Sequence, residues 1–301
     1  MSGKKVLVTG GTGYIGVDLV ERLLKNSDIS LALVVRDIKK AEALFSNRVE
    51  YILYEELTAF TKNIEKFAPN VVLHLAAYST SSDEPSEVQK LIESNIIFTS
   101  NLMLALTNCK VEMFINTGSF SEYHNSSLLP SPTYLYSATK TSARYIIEYY
   151  AKKSEFKFVN LVLFSVYGKG SSKKKIIDYA LDSLDAATAV NMSDGKQVLD
   201  FVHVDDVVAL YSSLVLNYEG LKFSKIDYEI GTGECFSIRE LVQKLEILSA
   251  KEAHVAWGAN RSRKLDTLEA CADIKTAQIE LNYTVNISLY DGLRRYIKSE
   301  S

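Results

Sequence analysis

Tyr136 and Lys140 are the two residues whose types and spacing best suit proton transfer. Four positions apart on a helix, they would share one face. Free tyrosine has a pKa of about 10, too high for efficient proton transfer at neutral pH, and a nearby ammonium is expected to lower that pKa. Tyr136 would then protonate a carbonyl oxygen or accept the proton of an alcohol. Because the chain contains 18 tyrosines, such a pair can arise by chance, and its interpretation depends on its surroundings.

Hydroxyl side chains precede this pair at the end of an expected strand. The apolar run ends at Asn116–Ser119, and the Tyr-x-x-x-Lys pair follows it along the chain. A hydroxyl at that position would donate a hydrogen bond to the reacting oxygen. Ser119 is the favoured residue, and Thr117 remains the alternative.

A glycine-rich turn lies at the front of the chain, directly after a short apolar run. Gly10, Gly13 and Gly16 form the pattern G-x-x-G-x-x-G. Such glycines permit a tight turn and a close approach of the backbone to a pyrophosphate, and the helix that follows offers free N–H groups and the positive end of its dipole. Because the pattern falls between a strand and a helix, it predicts a dinucleotide site.

The residue about 20 positions beyond the last glycine bears on which dinucleotide binds. An acidic residue there usually accepts the ribose 2′-hydroxyl of NAD, but this position is Arg36. A guanidinium would attract the 2′-phosphate of NADP. Asp37 follows directly, so NADP(H) is favoured and NAD(H) stays an alternative.

The elements that must position these residues alternate between buried strands and helices. Continuous apolar runs indicate strands covered on both faces, and strand–helix alternation indicates a parallel, doubly wound sheet. We therefore predict an α/β protein with a Rossmann-like dinucleotide-binding domain over residues 1–165 and a smaller, partly interleaved substrate-binding lobe over residues 166–301. Helices are expected over Ile38–Phe45 and Leu57–Phe67, and one long helix over Pro85–Thr107 with a break near its start.

Composition argues against several classes of function. A net charge of −3 is unlike that of a nucleic-acid binder. No apolar stretch approaches the roughly 20 residues that span a bilayer, and no signal peptide is visible. The 4 histidines are scattered and lack metal-ligand spacing. The 3 cysteines are odd in number and widely spaced, which predicts neither a disulfide framework nor a zinc site and favours the reducing cytoplasm.

Together these residues resemble a known family, the extended short-chain dehydrogenases/reductases of the NAD-dependent epimerase/dehydratase type. Its cofactor turn, fourth-strand motif and two later signatures are similar to the segments Thr9–Gly16, His74–Ala77, Phe164–Gly168 and Phe201–Val207. Arg263–Asp266 with Ala272–Asp273 resembles a further signature. The resemblance covers nearly the whole chain, and within the family it is strongest to the cytidine-diphosphate sugar 4-reductases of the paratose and abequose synthase type.

The resemblance assigns roles to individual residues. It implies a catalytic triad of Ser119, Tyr136 and Lys140, and a substrate site that includes Ser119, Ser165 and Arg263. The residues that it implies for the dinucleotide are Gly10, Thr12, Gly13, Tyr14, Ile15, Gly16, Arg36, Leu75, Ala76, Ala77, Asn95, Tyr136 and Lys140.

Two departures from the family pattern limit which reaction and which mode of substrate binding are expected. Dehydratases of the family carry Asp-Glu directly after the catalytic hydroxyl residue, whereas Phe120 and Ser121 stand here. Removal of water is therefore not expected. Leu199 replaces an arginine that normally helps to hold the diphosphate, and the basic segment Lys173–Lys175 is either its substitute or a solvated loop.

The resemblance implies an enzyme that uses NADPH to reduce the 4-keto group of a nucleotide-activated 6-deoxy or 3,6-dideoxy hexose for bacterial surface polysaccharides, with a CDP-linked substrate favoured. A nucleotide-sugar 4-epimerase with tightly bound NAD is the nearest alternative, and a nucleotide-sugar dehydrogenase is a weaker one. A non-catalytic NAD(P)-sensing protein is the alternative of another class. The resemblance also implies a cytoplasmic homodimer, formed by helices around Asn95–Thr107 and Ser137–Lys152, with neither nucleic acid nor membrane as partner.

Overall fold

The computed structural model describes residues 3–126, 129–171, 173–261 and 264–300. Strands and helices alternate through its first half. The elements are β1 (Lys4–Thr9), α1 (Tyr14–Leu23), β2 (Ile29–Val35), α2 (Ile38–Phe45), β3 (Glu50–Leu53), α3 (Leu57–Phe67), β4 (Val71–His74), α4 (Pro85–Leu91), α5 (Phe98–Ala105), β5 (Met113–Ser119), α6 (Leu135–Ser154) and β6 (Lys157–Leu163).

The second half contributes shorter elements. They are β7 (Ser165–Tyr167), α7 (Ile176–Asp182), β8 (Val190–Asn191), β9 (Val198–His203), α8 (Val204–Asn217), β10 (Asp227–Ile230), β11 (Cys235–Ser237), α9 (Ile238–Ser249), β12 (Val255–Ala256), β13 (Glu269–Ala270), α10 (Lys275–Leu281) and α11 (Leu289–Glu300).

Seven parallel strands form the central sheet in the order β10-β6-β5-β4-β1-β2-β3. In β1 the residues Val6, Leu7 and Val8 are all fully buried. Val6 and Val8 pack into one hydrophobic cluster and Leu7 into another, because successive side chains point to opposite faces of a strand. Helices cover both faces, which confirms the predicted Rossmann-like, doubly wound sheet.

Two carboxylates set the starts of the helices that follow β2 and β3. Asp37 accepts a hydrogen bond from the backbone N–H of Lys40 at 3.1 Å. Glu56 accepts hydrogen bonds from the N–H groups at the start of α3. Each carboxylate satisfies donors that the first turn of a helix leaves unpaired, so both helices begin where the sequence predicts.

A second, smaller sheet lies beyond residue 165. β9 is its central strand, because β7, β11 and β13 all pair with it. Side chains from this sheet and from α7, α9 and α11 form a separate hydrophobic cluster that includes Tyr167, Phe201, Leu241 and Leu293. We call this second sheet with its helices the smaller lobe, and the division of the chain into domains at residue 165 stays a prediction.

The chain passes back into the first sheet after entering the smaller lobe. β10 pairs in parallel with β6 and forms an edge of the central sheet. α8 packs along α1 in the cluster that also contains Val207 and Tyr211. The two parts are therefore interleaved along the sequence.

The long helix expected over Pro85–Thr107 has an irregular centre. A π-helical turn over Ile92–Ile97 joins α4 to α5. The turn carries Asn95, whose side chain is buried. Widened turns of this kind are frequent at functional sites, and apolar periodicity alone does not reveal them.

The expectation of unpaired cysteines is wrong for two of the three. Cys235 and Cys271 form a disulfide with their Cα atoms 5.7 Å apart, and Cys109 is free. β11 and β13 both pair with β9. This pairing brings the two cysteines, which are 36 residues apart in sequence, close enough to form the bond. Nothing in the cysteine spacing indicates this pairing.

Candidate active site

The carboxyl ends of β1, β4, β5 and β6 open into a cavity of about 700 Å³. In parallel sheets ligands bind at this edge, where the order of the strands reverses. Most of the predicted site residues lie in its wall. Those that line it are Gly10, Gly13, Tyr14, Ile15, Gly16, Leu75, Ala77, Ser119, Tyr136, Lys140 and Ser165.

The glycine turn shapes one end of the cavity. Gly10 has a φ of +73°, and a Cβ atom there would lie 2.6 Å from the backbone nitrogen of Ala76. The N–H of Gly13 donates to the carbonyl of Gly10 at 2.9 Å, and no side chain caps α1, which begins at Tyr14. The backbone N–H groups of the first turn are thus left for an anion, and the turn fits the pyrophosphate of a dinucleotide.

Arg36 and Asp37 are exposed at the carboxyl end of β2. The Asp37 carboxylate is engaged as the N-cap of α2. The two residues therefore have different surroundings, since the carboxylate has a structural partner and no ion pair of Arg36 occurs among the described residues. Arg36 lies outside the cavity wall, next to the strand that carries the glycine turn.

Ser119 ends β5 and takes part in a chain of hydroxyl groups. Its Oγ lies 2.8 Å from the Oγ of Ser121, which accepts a hydrogen bond from Ser137 at 2.7 Å. Thr117 also lines the cavity, but its hydroxyl lies 2.6 Å from the hydroxyl of the buried Tyr211. The contacts of Thr117 are structural, which favours Ser119 as the hydroxyl that faces a ligand.

Tyr136 and Lys140 lie in the first two turns of α6, and both line the cavity. Lys140 is 2% exposed, and this burial lowers the pKa of its ammonium. For Tyr136, burial and the nearby Glu122 carboxylate both raise the pKa. The expectation that the lysine would lower the pKa of Tyr136 is therefore wrong in this structure, and the phenol is held in its protonated form.

Glu122 is a buried carboxylate that the sequence reasoning missed. It is 1% exposed, accepts a hydrogen bond from the Ser119 N–H at 2.8 Å and accepts another from the Thr141 hydroxyl at 3.0 Å. Burial raises the pKa of Glu122, and the ammonium of Lys140 lowers it. The carboxylate thus joins the end of β5 to the helix that carries the Tyr–Lys pair.

A sequence signal for Glu122 exists. Ser119 and Glu122 form a capping box, in which each side chain accepts a hydrogen bond from the backbone N–H of a residue at the other end of the turn. The spacing S-x-x-E is the known signature of that motif. Because it lies directly after the predicted catalytic hydroxyl, it would have placed a carboxylate beside the triad.

His74 stabilises the residues next to the glycine turn through hydrogen bonds. Its Nδ1 lies 2.8 Å from the hydroxyl of Thr9, and its Nε2 lies 3.1 Å from that of Thr99. The Thr9 hydroxyl also accepts a hydrogen bond from the Ala76 N–H at 3.2 Å. Burial, together with the charge of Lys140, lowers the pKa of His74 to about 3, so the ring is neutral and its role is structural.

Four of the residues predicted to bind the dinucleotide do not line the cavity in this structure, namely Thr12, Arg36, Ala76 and Asn95. The Asn95 amide accepts a hydrogen bond from the Tyr78 N–H at 2.7 Å and donates to the Thr139 hydroxyl at 2.8 Å. It therefore ties the loop after β4 to α6. The contact of Asn95 with a dinucleotide stays a prediction.

The substrate side of the cavity is lined by aromatic rings and lysines. Phe120 and Phe164 stack with their centroids 5.6 Å apart, in the region where dehydratases of the family carry acidic residues. Lys173 donates from its Nζ to the Ser79 carbonyl at 2.6 Å across the mouth. The predicted substrate residue Arg263 lies outside the described residues.

The described part of the chain has neither a membrane-spanning helix nor a cluster of metal-ligating side chains. No helix there is long and apolar enough to cross a membrane. No group of three or more metal-ligating side chains occurs within residues 3–126, 129–171, 173–261 and 264–300.

Comparison with known proteins gives the same picture. A sequence profile of the NAD dependent epimerase/dehydratase family matches residues 6–231. The chain is 26% identical to CDP-abequose synthase of Salmonella typhimurium over 97% of both chains. It is 24% identical to dTDP-4-dehydro-6-deoxyglucose reductase of Escherichia coli over 98% of this chain and 96% of that protein. Among solved structures, UDP-glucuronic acid 4-epimerase of Bacillus cereus in complex with UDP-glucuronic acid and NAD is similar, with a TM-score of 0.84 and 26% identity over 99% of this chain and 100% of that one.

Proposed function

Because the chain belongs to the NAD-dependent epimerase/dehydratase family, we propose that it is a nucleotide-sugar 4-ketoreductase. In this proposal it uses NADPH to reduce the 4-keto group of a nucleotide-activated 6-deoxy or 3,6-dideoxy hexose. The observation that carries the proposal is one cavity that contains the glycine turn, Ser119, Lys140 and a Tyr136 held in its protonated form. A protonated phenol is the form that delivers a proton to a carbonyl oxygen.

Each member of the triad has a defined task in such a reduction. The nicotinamide, when bound, supplies the hydride. Tyr136 donates its proton to the oxygen of the keto group, and the Ser119 hydroxyl donates a hydrogen bond to the same oxygen as negative charge develops there. Lys140, with its ammonium in the cavity wall, stabilises the phenolate that remains on Tyr136.

The surroundings of Ser119 favour reduction over loss of water. A dehydratase needs an acid and a base at the positions that Phe120 and Ser121 occupy here. Phe120 is stacked on Phe164, and Ser121 is hydrogen-bonded within the hydroxyl chain. Neither side chain is able to remove a proton from carbon at neutral pH, because a benzyl group has no base and an alkyl hydroxyl is far too weak a base.

The preference for NADPH is supported by Arg36. Asp37, which left the choice open in the sequence, is engaged at the start of α2. The guanidinium beside it is exposed at the carboxyl end of β2, where the adenosine ribose of a dinucleotide lies in Rossmann-type sheets. A 2′-phosphate would form charge-assisted hydrogen bonds with Arg36 there.

The nucleotide-sugar substrate is supported by the relatives. CDP-abequose synthase and dTDP-4-dehydro-6-deoxyglucose reductase both align with nearly the whole of this chain. We favour a CDP-linked substrate on the strength of the first, and a role in making deoxysugars for bacterial surface polysaccharides. NADPH and nucleotide sugars are both made in the cytoplasm, which is the compartment we propose. The cysteines do not support this compartment, because a disulfide such as Cys235–Cys271 is unusual where thiols are kept reduced.

A 4-epimerase is the second candidate, favoured by the similarity to UDP-glucuronic acid 4-epimerase bound to NAD. An epimerase retains its dinucleotide and uses it twice, whereas a reductase exchanges it at every turnover. Denaturing the purified protein and identifying the released dinucleotide separates the two. Stoichiometric NAD⁺ or NADH in the supernatant would favour the epimerase.

We also propose a homodimer formed by α5 and α6. These helices pack side by side. Together with the π-helical turn before α5 they expose the apolar side chains of Ile97, Leu104, Tyr145 and Tyr149 to solvent at 46%, 49%, 53% and 61%. A second copy of the same surface would cover them. Sedimentation at micromolar protein concentration tests this, and a monomer would contradict it.

The reductase proposal is tested by following NADPH oxidation with a panel of CDP-, dTDP- and UDP-linked 4-keto-6-deoxy sugars. Tyr136→Phe should lower kcat by about two orders of magnitude or more, since general-acid catalysis contributes roughly 10²–10⁴-fold. Tyr290→Phe, at an exposed position of α11 outside the cavity wall, serves as the matched control. Absence of oxidation across the whole panel would reject the reductase, and full activity of Tyr136→Phe would reject the role of that residue.

A further inference from the structure

Lys175 is a cation inside the cavity that the proposed reaction does not use. It directly precedes α7, and its Nζ donates to the carbonyl of Val166 in β7 at 2.8 Å. The same atom lies 3.9 Å from the centroid of the Tyr14 ring. Tyr14 is the first residue of α1, directly after the glycine turn. The ammonium of Lys175 is thus contributed by the smaller lobe but lies against the dinucleotide cradle.

This ammonium has unused hydrogen-bonding capacity. A lysine ammonium has three N–H donors, and the Val166 carbonyl takes one. Among the described residues, no carboxylate oxygen lies within 4.0 Å of it. Asp178, the acid whose charge acts on this ammonium, accepts hydrogen bonds from the backbone N–H of Lys175 at 2.6 Å and from the Tyr296 hydroxyl at 2.5 Å.

Burial of an unpaired ammonium costs free energy. The cost is visible in the pKa of the Lys175 ammonium, which burial lowers to about 8. The attraction of Asp178 offsets only part of the effect of burial. An arrangement of this kind is retained where an anionic ligand supplies the missing counter-charge. The other two lysines of the segment differ, since Lys174 is 60% exposed and paired with Asp182, and Lys173 is exposed and bonded to the Ser79 carbonyl.

We propose that Lys175 is a ligand-binding residue that holds a diphosphate group at the junction of the two lobes. The position of its Nζ beside Tyr14, within the wall that also contains Gly13 and Ile15, selects a diphosphate as the ligand. Both the dinucleotide and the nucleotide sugar carry that group, and the proposal rests on the proposed function in assuming these two ligands.

Lys175 would also take over a task that the sequence leaves unassigned. Leu199, the residue that replaces the usual diphosphate-binding arginine, is partly buried and packs against two hydrophobic clusters. Lys175, directly before α7, supplies the cavity wall with a positive charge that Leu199 does not provide. Because Lys175 belongs to the smaller lobe and Tyr14 to the larger one, a diphosphate bound between them would hold the two lobes together.

Binding titrations without turnover test the proposal. NADPH is titrated by its fluorescence and CDP by calorimetry, using wild type, Lys175→Met and Lys196→Met. Met keeps most of the length of the side chain and removes the charge, and Lys196→Met, at an exposed lysine outside the cavity wall, is the matched control. A charge-assisted hydrogen bond to phosphate predicts a loss of affinity of about tenfold or more for Lys175→Met, and a change of less than about twofold for the control.

The outcomes identify the ligand. Loss of NADPH affinity alone assigns Lys175 to the dinucleotide, loss of CDP affinity alone assigns it to the nucleotide sugar, and loss of both places it between them. Lys175→Arg, which keeps the charge, should retain most of the affinity. If wild type binds the ligands and Lys175→Met binds both as tightly, the proposal is overturned while the proposed function stands. If wild type binds neither, both are overturned. Should Lys175→Met fail to fold, Lys175→Gln is titrated in its place.

Discussion

Acid should destabilise this protein through His74 by an amount that the structure allows us to calculate. The buried ring has a folded-state pKa of about 3, against 6.5 for a free histidine. Below pH 6.5 the unfolded chain therefore binds a proton that the folded chain does not, and stability falls as the pH falls. The effect continues until the pH reaches the folded-state pKa.

The size of the effect at moderate acidity depends mainly on the unfolded-state value. At about pH 5.0 the unfolded histidine lies about 1.5 units below its pKa, and each unit is worth about 1.4 kcal/mol. The contribution of His74 to the free energy of unfolding should thus fall by about 2 kcal/mol between about pH 7.5 and about pH 5.0. Because the folded-state pKa lies far below this range, its exact value hardly changes the result.

Urea unfolding at the two pH values measures this contribution. His74→Gln replaces the ring by an amide that does not titrate and still offers a donor and an acceptor to Thr9 and Thr99. The variant should lose about 2 kcal/mol less than wild type on acidification, because the carboxylates that titrate are common to both proteins. His254→Gln, at an exposed position, is the control and should behave as wild type. Equal losses for wild type and His74→Gln would refute the reasoning.

Three further predictions concern the site and the smaller lobe. Glu122→Gln should move the alkaline limit of the reduction to lower pH, because the carboxylate raises the pKa of Tyr136; a pH profile of kcat that matches wild type would contradict this. Reducing agent should lower the unfolding midpoint of wild type but not that of Cys235→Ser, since closing a loop of 36 residues stabilises by about 4 kcal/mol in the chain-entropy treatment; an unchanged wild-type midpoint would speak against a structural role of the Cys235–Cys271 bond. Arg36→Ala should weaken NADPH binding by about tenfold or more and leave NADH binding nearly unchanged, and an equal effect on both dinucleotides would remove the argument for NADP.

The central sheet was predictable because its strands are buried on both faces. A strand such as β1 has a continuous buried apolar run, Val6–Val8, so its position is visible in the sequence although its bounds, Lys4 and Thr9, are polar. Helix starts were equally clear where a carboxylate caps them. α2 begins at Ile38 behind Asp37 and α3 begins at Leu57 behind Glu56, as predicted.

Elements held by distant contacts were not predictable. β7, β11 and β13 have only two or three residues each and exist because they pair with β9. α11 was missed as well. Its Gly292 weakens the local helix signal, and the structure gives the reason for the glycine, since any side chain there would collide with the hydroxyl of the buried Tyr167.

The triad was predictable from residue type and order, but its electrostatics were not. The spacing of Tyr136 and Lys140 indicates a shared helix face, and from that alone a lowered pKa of the phenol follows. The structure adds Glu122, which reaches the pair from the end of β5 and accepts the Ser119 N–H. Burial of the phenol, which is the larger cause, and the charge of Glu122 together raise the pKa of Tyr136, against the expected influence of the ammonium.

The raised pKa of Tyr136, where a lowered one was expected, helps to choose between reductase and epimerase. The first half of an epimerisation removes a proton from a sugar hydroxyl, which requires the tyrosine as a phenolate. A reduction begins from the phenol, because the proton must be available when the hydride arrives. A carboxylate that raises the pKa of Tyr136 favours the second requirement and opposes the first. Glu122, placed between the hydroxyl strand and the catalytic helix, therefore supports a protein that delivers protons to keto groups over one that collects them from alcohols.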